Sequence, residues 1–173
     1  DKKNIIVVDA SKGLKLTALS QQQQCTENQS HEHHRHEQDS DPHIWLDFDN
    51  DKIIIDSITN ALCQADPANS DFYTKNADDY KNQLTAIDNE YKTQLEKCQS
   101  RTIVFGGHYA FGYLAKRYNL NYLAAQGFSP DSEPTASELI SLVAQIRKDN
   151  IRYIFYEELA SPKIAETLAN ETK

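Results

Sequence analysis

The chain has 173 residues and 19.7 kDa, enough for one mid-sized domain or for two small lobes sharing an element. No stretch approaches the ~18–20 consecutive apolar residues of a membrane-spanning helix. With Lys+Arg 18 against Asp+Glu 26 the formal charge is −8, so a phosphate backbone would be repelled and nucleic acid is excluded as the expected partner.

A chain that opens on Asp1 and contains no Met reads as a piece of a longer product, from which a signal or a first domain has been removed. Cys25, Cys63 and Cys98 are an odd set with no C-x-x-C spacing, which signals neither a zinc knuckle nor a disulfide framework.

In chain order, residues 4 to 8 (Asn-Ile-Ile-Val-Val) form a β-branched run closed by Asp9 and a Ser11-Lys12-Gly13 turn, and predict a buried strand. From about residue 20 to 41 the composition changes to four Gln followed by a polar stretch holding His31, His33, His34 and His36 among Glu, Arg and Asp. Having almost nothing apolar to bury, this segment cannot offset its ordering entropy and is expected to be a mobile loop. Asp41-Pro42-His43-Ile44-Trp45-Leu46-Asp47 follows. Behind it Ile54, Ile55, Ile58, Ala61 and Leu62 recur at helical spacing, predicting an amphipathic helix from Asn50 to about Gln64, stopped by Asp66-Pro67.

Tyr73, Ala77, Tyr80, Leu84, Ile87, Tyr91, Leu95 and Cys98 then lie at steps of three and four residues, uninterrupted by Gly or Pro, with Ser70 placed as N-cap. That predicts one helix roughly 40 Å long at about 1.5 Å per residue, too long to lie under one small sheet and suited to a strut between lobes. Cys63 near its start and Cys98 at its end would be separated by far more than the roughly 7 Å limit for bridged Cα atoms, so they are not expected to pair.

After Ser100 strands and helices alternate. Strands are predicted at 102–105, 122–125 and 151–156, and helices at 109–118, from the Thr135-Ala-Ser-Glu138 capping box to about Lys148, and from Ser161-Pro162 onward. Alternation of this kind builds a parallel sheet with crossover helices, so the fold class is α/β.

Six histidines carry the candidate chemistry. Four imidazoles at 31 to 36 on a flexible loop would gather zinc, copper or nickel weakly and quickly, because no rigid geometry selects among them. A solvated polar loop or an engineered His run are the plainer alternatives; interleaving with Glu and Arg between folded segments argues against the second. His43 taken alone is an ordinary half-buried histidine. The restricted Asp41-Pro42 approach, and Trp45 and Leu46 as anchors, instead place it rigidly at a loop-to-helix junction. His108 stands directly after Phe105-Gly106-Gly107, where a strand gives way to a helix, the usual ligand crevice of open α/β sheets. Gly106-Gly107 by itself is a tight turn; G-x-G-x-x-G and G-K-[ST] phosphate loops are both absent.

Four stretches together carry a resemblance: the His-rich acidic loop with Asp41-Pro42-His43-Ile44-Trp45-Leu46-Asp47; Gly107-His108-Tyr109-Ala110-Phe111-Gly112-Tyr113-Leu114-Ala115-Lys116-Arg117-Tyr118; residues 128 to 134; and residues 155 to 167, with Glu157, Glu158 and Pro162. In order and spacing they resemble the zinc-specific solute-binding proteins of bacterial ABC transporters. The resemblance implies two parallel-sheet α/β lobes with helices on both faces, joined by a single long helix. Residues 1–69 would be a remnant of the first lobe, 70–98 the connecting helix and 99–173 the second lobe. It implies His43 and His108 as zinc ligands from the two lobes, and the loop histidines as auxiliary collectors. Extracytoplasmic capture of Zn2+ for a membrane permease is the implied function, with no catalysis, and a periplasmic location or a lipid anchor through a segment preceding Asp1.

The family's early His ligand and its late acidic ligand both lie outside this sequence, and two imidazoles cannot close a tetrahedral site, so the chain by itself is expected to hold metal weakly or with water, a loop histidine or a neighbour completing the set. Manganese-transporting relatives place a carboxylate where His108 stands; neutral imidazoles suit zinc better. Affinity is expected to fall below about pH 6 as protons compete for the rings. Two other readings keep the same residues: a zinc hydrolase using Glu157 or Glu158 as base, which lacks an H-E-x-x-H motif, and a surface zinc buffer or adhesin.

Overall fold

A computed structural model of the chain describes residues 5–18, 40–129 and 132–173. His31, His33, His34, His36 and Cys25 lie outside the described residues. Contacts divide the chain into two compact units: 1–17 with 44–98, and 18–43 with 99–173. Among the described residues, Ala18 and residues 40–43 group with the second unit.

The first unit is a helical pair. α1 (Phe48–Ala65) is capped by Asp47, whose carboxylate accepts from the amides of Asp49 and Asn50 at 2.8 and 3.4 Å. It ends where the Asp66 amide donates to the Leu62 carbonyl at 2.9 Å and Pro67 opens a short 3₁₀ turn to Asn69.

α2 (Ser70–Glu96) is a single 27-residue helix. Its cap differs from expectation: Asn69 stands at the N-cap without a side-chain cap bond, and Asp66 organises the junction instead. The Asp66 carboxylate accepts from Asn69 Nδ2 at 2.7 Å and Tyr73 Oη at 2.9 Å, which holds its carboxyl below the usual range. α2 packs on α1, with Lys81 Nζ reaching Asp56 at 2.8 Å. Of the predicted apolar stripe Ala77 and Leu84 are buried, while Tyr80, Ile87 and Tyr91 remain largely exposed. Cys63 and Cys98 do not pair with each other, as expected.

The strand predicted at 4 to 8 is not found. Ile5 to Val8 carry no strand pairing, and Ile5, Ile6 and Val7 are 71%, 51% and 87% exposed. β-branched residues favour extended backbone, but a strand exists only with a ladder partner, and none lies beside this run among the described residues.

The second unit is α/β. β1 (Thr102–Phe105), β2 (Asn121–Ala124) and β3 (Ile154–Phe155) form a parallel sheet in the order β2-β1-β3. β1 pairs with β2 from Thr102↔Asn121 to Phe105↔Ala124, and with β3 at Val104↔Ile154 and Phe105↔Phe155. Alternation along β1 sends side chains to opposite faces. Val104 joins Leu142, Ile146 and Leu168 from α4 (Ala136–Lys148) and α5 (Lys163–Glu171). Ile103 and Phe105 join Ala115 and Tyr122 on the face covered by α3 (Gly112–Arg117). Helices thus cover both faces.

The predicted 135–138 capping box is formed in full. α3 starts three residues later than predicted because the Tyr109 amide donates to the Gly127 carbonyl and its ring packs on Tyr122 and Phe128, which keeps 108–111 out of the helix. Among the described residues no helix is long and apolar enough to cross a membrane.

Candidate metal centre

The site is built at the carboxyl end of β1. After β1 the chain enters α3 on one face of the sheet; after the neighbouring β3 it enters α5 on the other. Adjacent strands whose connections leave to opposite faces open a crevice at their carboxyl ends. His108, three residues past β1, and Glu157, two residues past β3, meet there, with Nδ1 and Oε1 3.0 Å apart.

His43 reaches the same place from a segment held by the second unit. An isolated antiparallel bridge pairs Ala18 with Ser40. Tyr113 Oη on α3 donates to the Asp41 carbonyl at 3.3 Å. Asp41 Oδ1 in turn accepts from the His43 amide at 3.0 Å and from His43 Nδ1 at 2.7 Å. Asp41 and His43 are buried, at 2% and 8% exposure. Trp45, expected as an anchor, is 56% exposed; Asp41 holds His43 directly, and Tyr113 holds Asp41.

The two imidazoles, 65 positions apart in sequence, lie with ring centroids 5.3 Å apart at an interplanar angle of 45°. Each ring presents Nδ1 to a carboxylate, which accepts only, so Nε2 is the nitrogen through which each can bind a metal. Such carboxylate–imidazole pairs orient histidine ligands. Two flanking phenols are poor competitors for a cation: burial pushes the Tyr109 hydroxyl up, Asp41 adding to it, and burial does the same at Tyr122. Among the described residues no group of three His, Cys, Asp or Glu side chains is arranged to hold a metal ion.

The sequence reading places Asp41 in the restricted Asp41-Pro42 approach and Glu157 as a candidate base, and does not place either against the two rings. The i, i+2 spacing of Asp41 and His43 is a local signal that could have disclosed the first. Glu157 lies 49 positions from His108 and no local pattern links them.

Residues 1–173 match the family described as zinc-uptake complex component A, periplasmic. The high-affinity zinc uptake system protein ZnuA of Bacillus subtilis (strain 168) is 37% identical over 166 residues, covering 96% of this chain and 51% of that protein. The zinc-binding lipoprotein AdcA of Streptococcus pneumoniae serotype 4 is 33% identical over 171 residues, covering 99% of this chain and 34% of that protein. The chain thus spans about half the length, or less, of these curated relatives.

Among solved structures, the laminin-binding protein Lmb of Streptococcus agalactiae, described as a bifunctional protein with adhesin and metal transporting activity, aligns with a TM-score of 0.80 at 32% identity, covering 95% of this chain and 56% of that one. The Zn(II)-bound AdcAII E280Q variant of Streptococcus pneumoniae aligns at 0.77 and 29% identity, covering 95% and 57%. With its whole length matched by the family and its α/β unit built as the motifs imply, this chain belongs to the ZnuA family of zinc-uptake components.

Proposed function

We propose that this chain carries part of the zinc site of an extracytoplasmic solute-binding protein that captures Zn2+ and hands it to an ABC permease, without catalysis. The observation that carries the reading is the spacing of the two rings. A zinc–nitrogen bond of about 2.0–2.1 Å, with each nitrogen roughly 1.1 Å from its ring centroid, puts two tetrahedrally disposed imidazole centroids about 5.2 Å apart. The centroids of His43 and His108 are 5.3 Å apart. Two neutral imidazoles favour zinc over manganese, and the names of the relatives point the same way.

In this reading residues 1–69 belong to a first lobe, 70–98 form the connecting helix and 99–173 belong to the second lobe. His31, His33, His34 and His36 serve as an auxiliary collecting loop. Location is the periplasm or, with a lipid anchor, the cell surface; the lipoprotein AdcA supports the second. The likeness to Lmb favours a surface adhesin role as a second reading, tested by binding of the full chain to immobilised laminin.

Calorimetric zinc titration of the intact protein that carries this chain tests the primary reading. His43→Ala and His108→Ala should each weaken the tight site at least about tenfold, and deletion of residues 26 to 39 should leave it in place. If the deletion abolishes tight binding while both point variants retain it, the ligand assignment is wrong.

A further inference from the structure

Asp41 differs from Glu157, the carboxylate against the other ring, in being almost wholly enclosed, with a side-chain exposure of 3% against 43%. One of its oxygens, Oδ1, meets both the main chain and the ring of His43, at 3.0 Å to the amide and 2.7 Å to Nδ1. A single acceptor that binds amide and ring of the same residue fixes backbone and imidazole together. The other oxygen, Oδ2, occupies space that exists only because residue 112 is glycine: a Cβ there would stand 2.8 Å from it, and also 2.8 Å from Tyr109 Cε1. The next residue of the same helix, Tyr113, is 3% exposed and donates to the Asp41 carbonyl. α3, which begins four residues after His108, therefore holds Asp41 at its main chain and shapes the pocket for its carboxylate.

We propose that Asp41 is a positioning residue for zinc: its buried carboxylate keeps the His43 ring proton on Nδ1 and so presents Nε2 to the metal, in a pocket that Gly112 leaves open. A carboxylate offers only acceptors, so a neutral ring beside it must place its hydrogen toward it. Without that acceptor the ring can carry its proton on Nε2, and each molecule in that tautomer must rearrange before it can bind. The inference rests on the reading that His43 is a ligand, and it adds what selects the ligand atom.

The test uses the full chain. Nitrogen-resolved NMR of the zinc-free protein at pH 8 should show His43 protonated on Nδ1. Asp41→Ala should convert it to a mixture with Nε2-protonated ring and weaken zinc binding about 10- to 100-fold by calorimetry. Asp41→Asn, which keeps an oxygen but not the charge, should fall between, and Gly112→Ala should weaken binding with Asp41 still present. If Asp41→Ala does not fold, the Asn and Gly112 variants carry the same comparison.

A purely structural Asp41 would lower the melting temperature and leave the ring spectrum unchanged, which would overturn the proposal. So would a zinc affinity altered less than about threefold by these variants while His43→Ala destroys the site. Should His43→Ala itself leave zinc binding intact, the ligand reading fails and the proposal with it; the tautomer spectrum, taken without metal, separates the two failures.

Discussion

Gly106 offers a quantitative test of how the ligand crevice is closed. It ends β1 by donating its amide to the Phe155 carbonyl at 2.8 Å, and α5 lies directly on it. In Gly106→Ala the added methyl would meet Ala165 Cβ at 2.7 Å, its Cα at 2.9 Å and its nitrogen at 3.0 Å. Ordinary contact begins at 3.4 Å, so α5 must retreat by about 0.7 Å, and the obstruction includes backbone that cannot rotate away. That retreat loosens Leu168, which has no exposed surface, from the core it shares with Val104 and Ile146.

Overpacking of this kind costs about 1–3 kcal/mol, offset by up to about 1 kcal/mol from the narrower unfolded ensemble of Ala. A net loss of about 1–2 kcal/mol should appear as a fall in melting temperature of about 2–8 °C for a chain of this size. Ala165→Gly alone should cost about 1 kcal/mol in helix propensity. The double variant should recover part of the Gly106→Ala loss, because the closest contact is gone while Cα and nitrogen still press. Denaturant titration of the four proteins gives the coupling. Strict additivity within about 0.3 kcal/mol, or a Gly106→Ala protein as stable as the parent, would refute this account of the packing.

The Asp51 carboxyl, in the first turn of α1, is pushed up to about 6 by burial and then by the Asp47 charge. Its folded value lies above its unfolded one, so the folded state binds more protons between about pH 4 and 6 and loses stability as pH rises through that window. Asp51→Asn should therefore be more stable than the parent above pH 6 by about 1 kcal/mol, discounted for solvent screening and opposed by the helix N-terminus, with no gain below about pH 4; urea titrations across pH check it. Thr135→Ala removes a complete capping box from α4 and should cost about 1 kcal/mol in the same assay. Glu157→Gln should change zinc affinity by at most about threefold by calorimetry, because water can replace a carboxylate that is 43% exposed.

Much of this protein is legible residue by residue. The three- and four-residue spacing through Tyr73, Leu84 and Tyr91 defines α2 to within two residues at its C-terminal end, because helix formation depends on neighbours one turn apart. β1 falls on the predicted residues, and the Thr135–Glu138 box opens α4 where expected, both being local signals. The run at 4 to 8 misleads for the converse reason: its β-branched residues state a preference that only a second strand could satisfy.

The sequence alone determined the alternation that makes a parallel sheet, the length of the long helix, and two histidines placed at junctions where a ligand can be reached. Periodicity and capping act over a few residues and can be read without coordinates. What tertiary structure decided is which atoms meet. The 5.3 Å approach of His43 to His108 and the turning of the His108 Nδ1 onto Glu157 depend on chain segments 49 to 65 positions apart. Such pairings are set by the switch of connections between β1 and β3 and by the packing of α3, which no local pattern encodes.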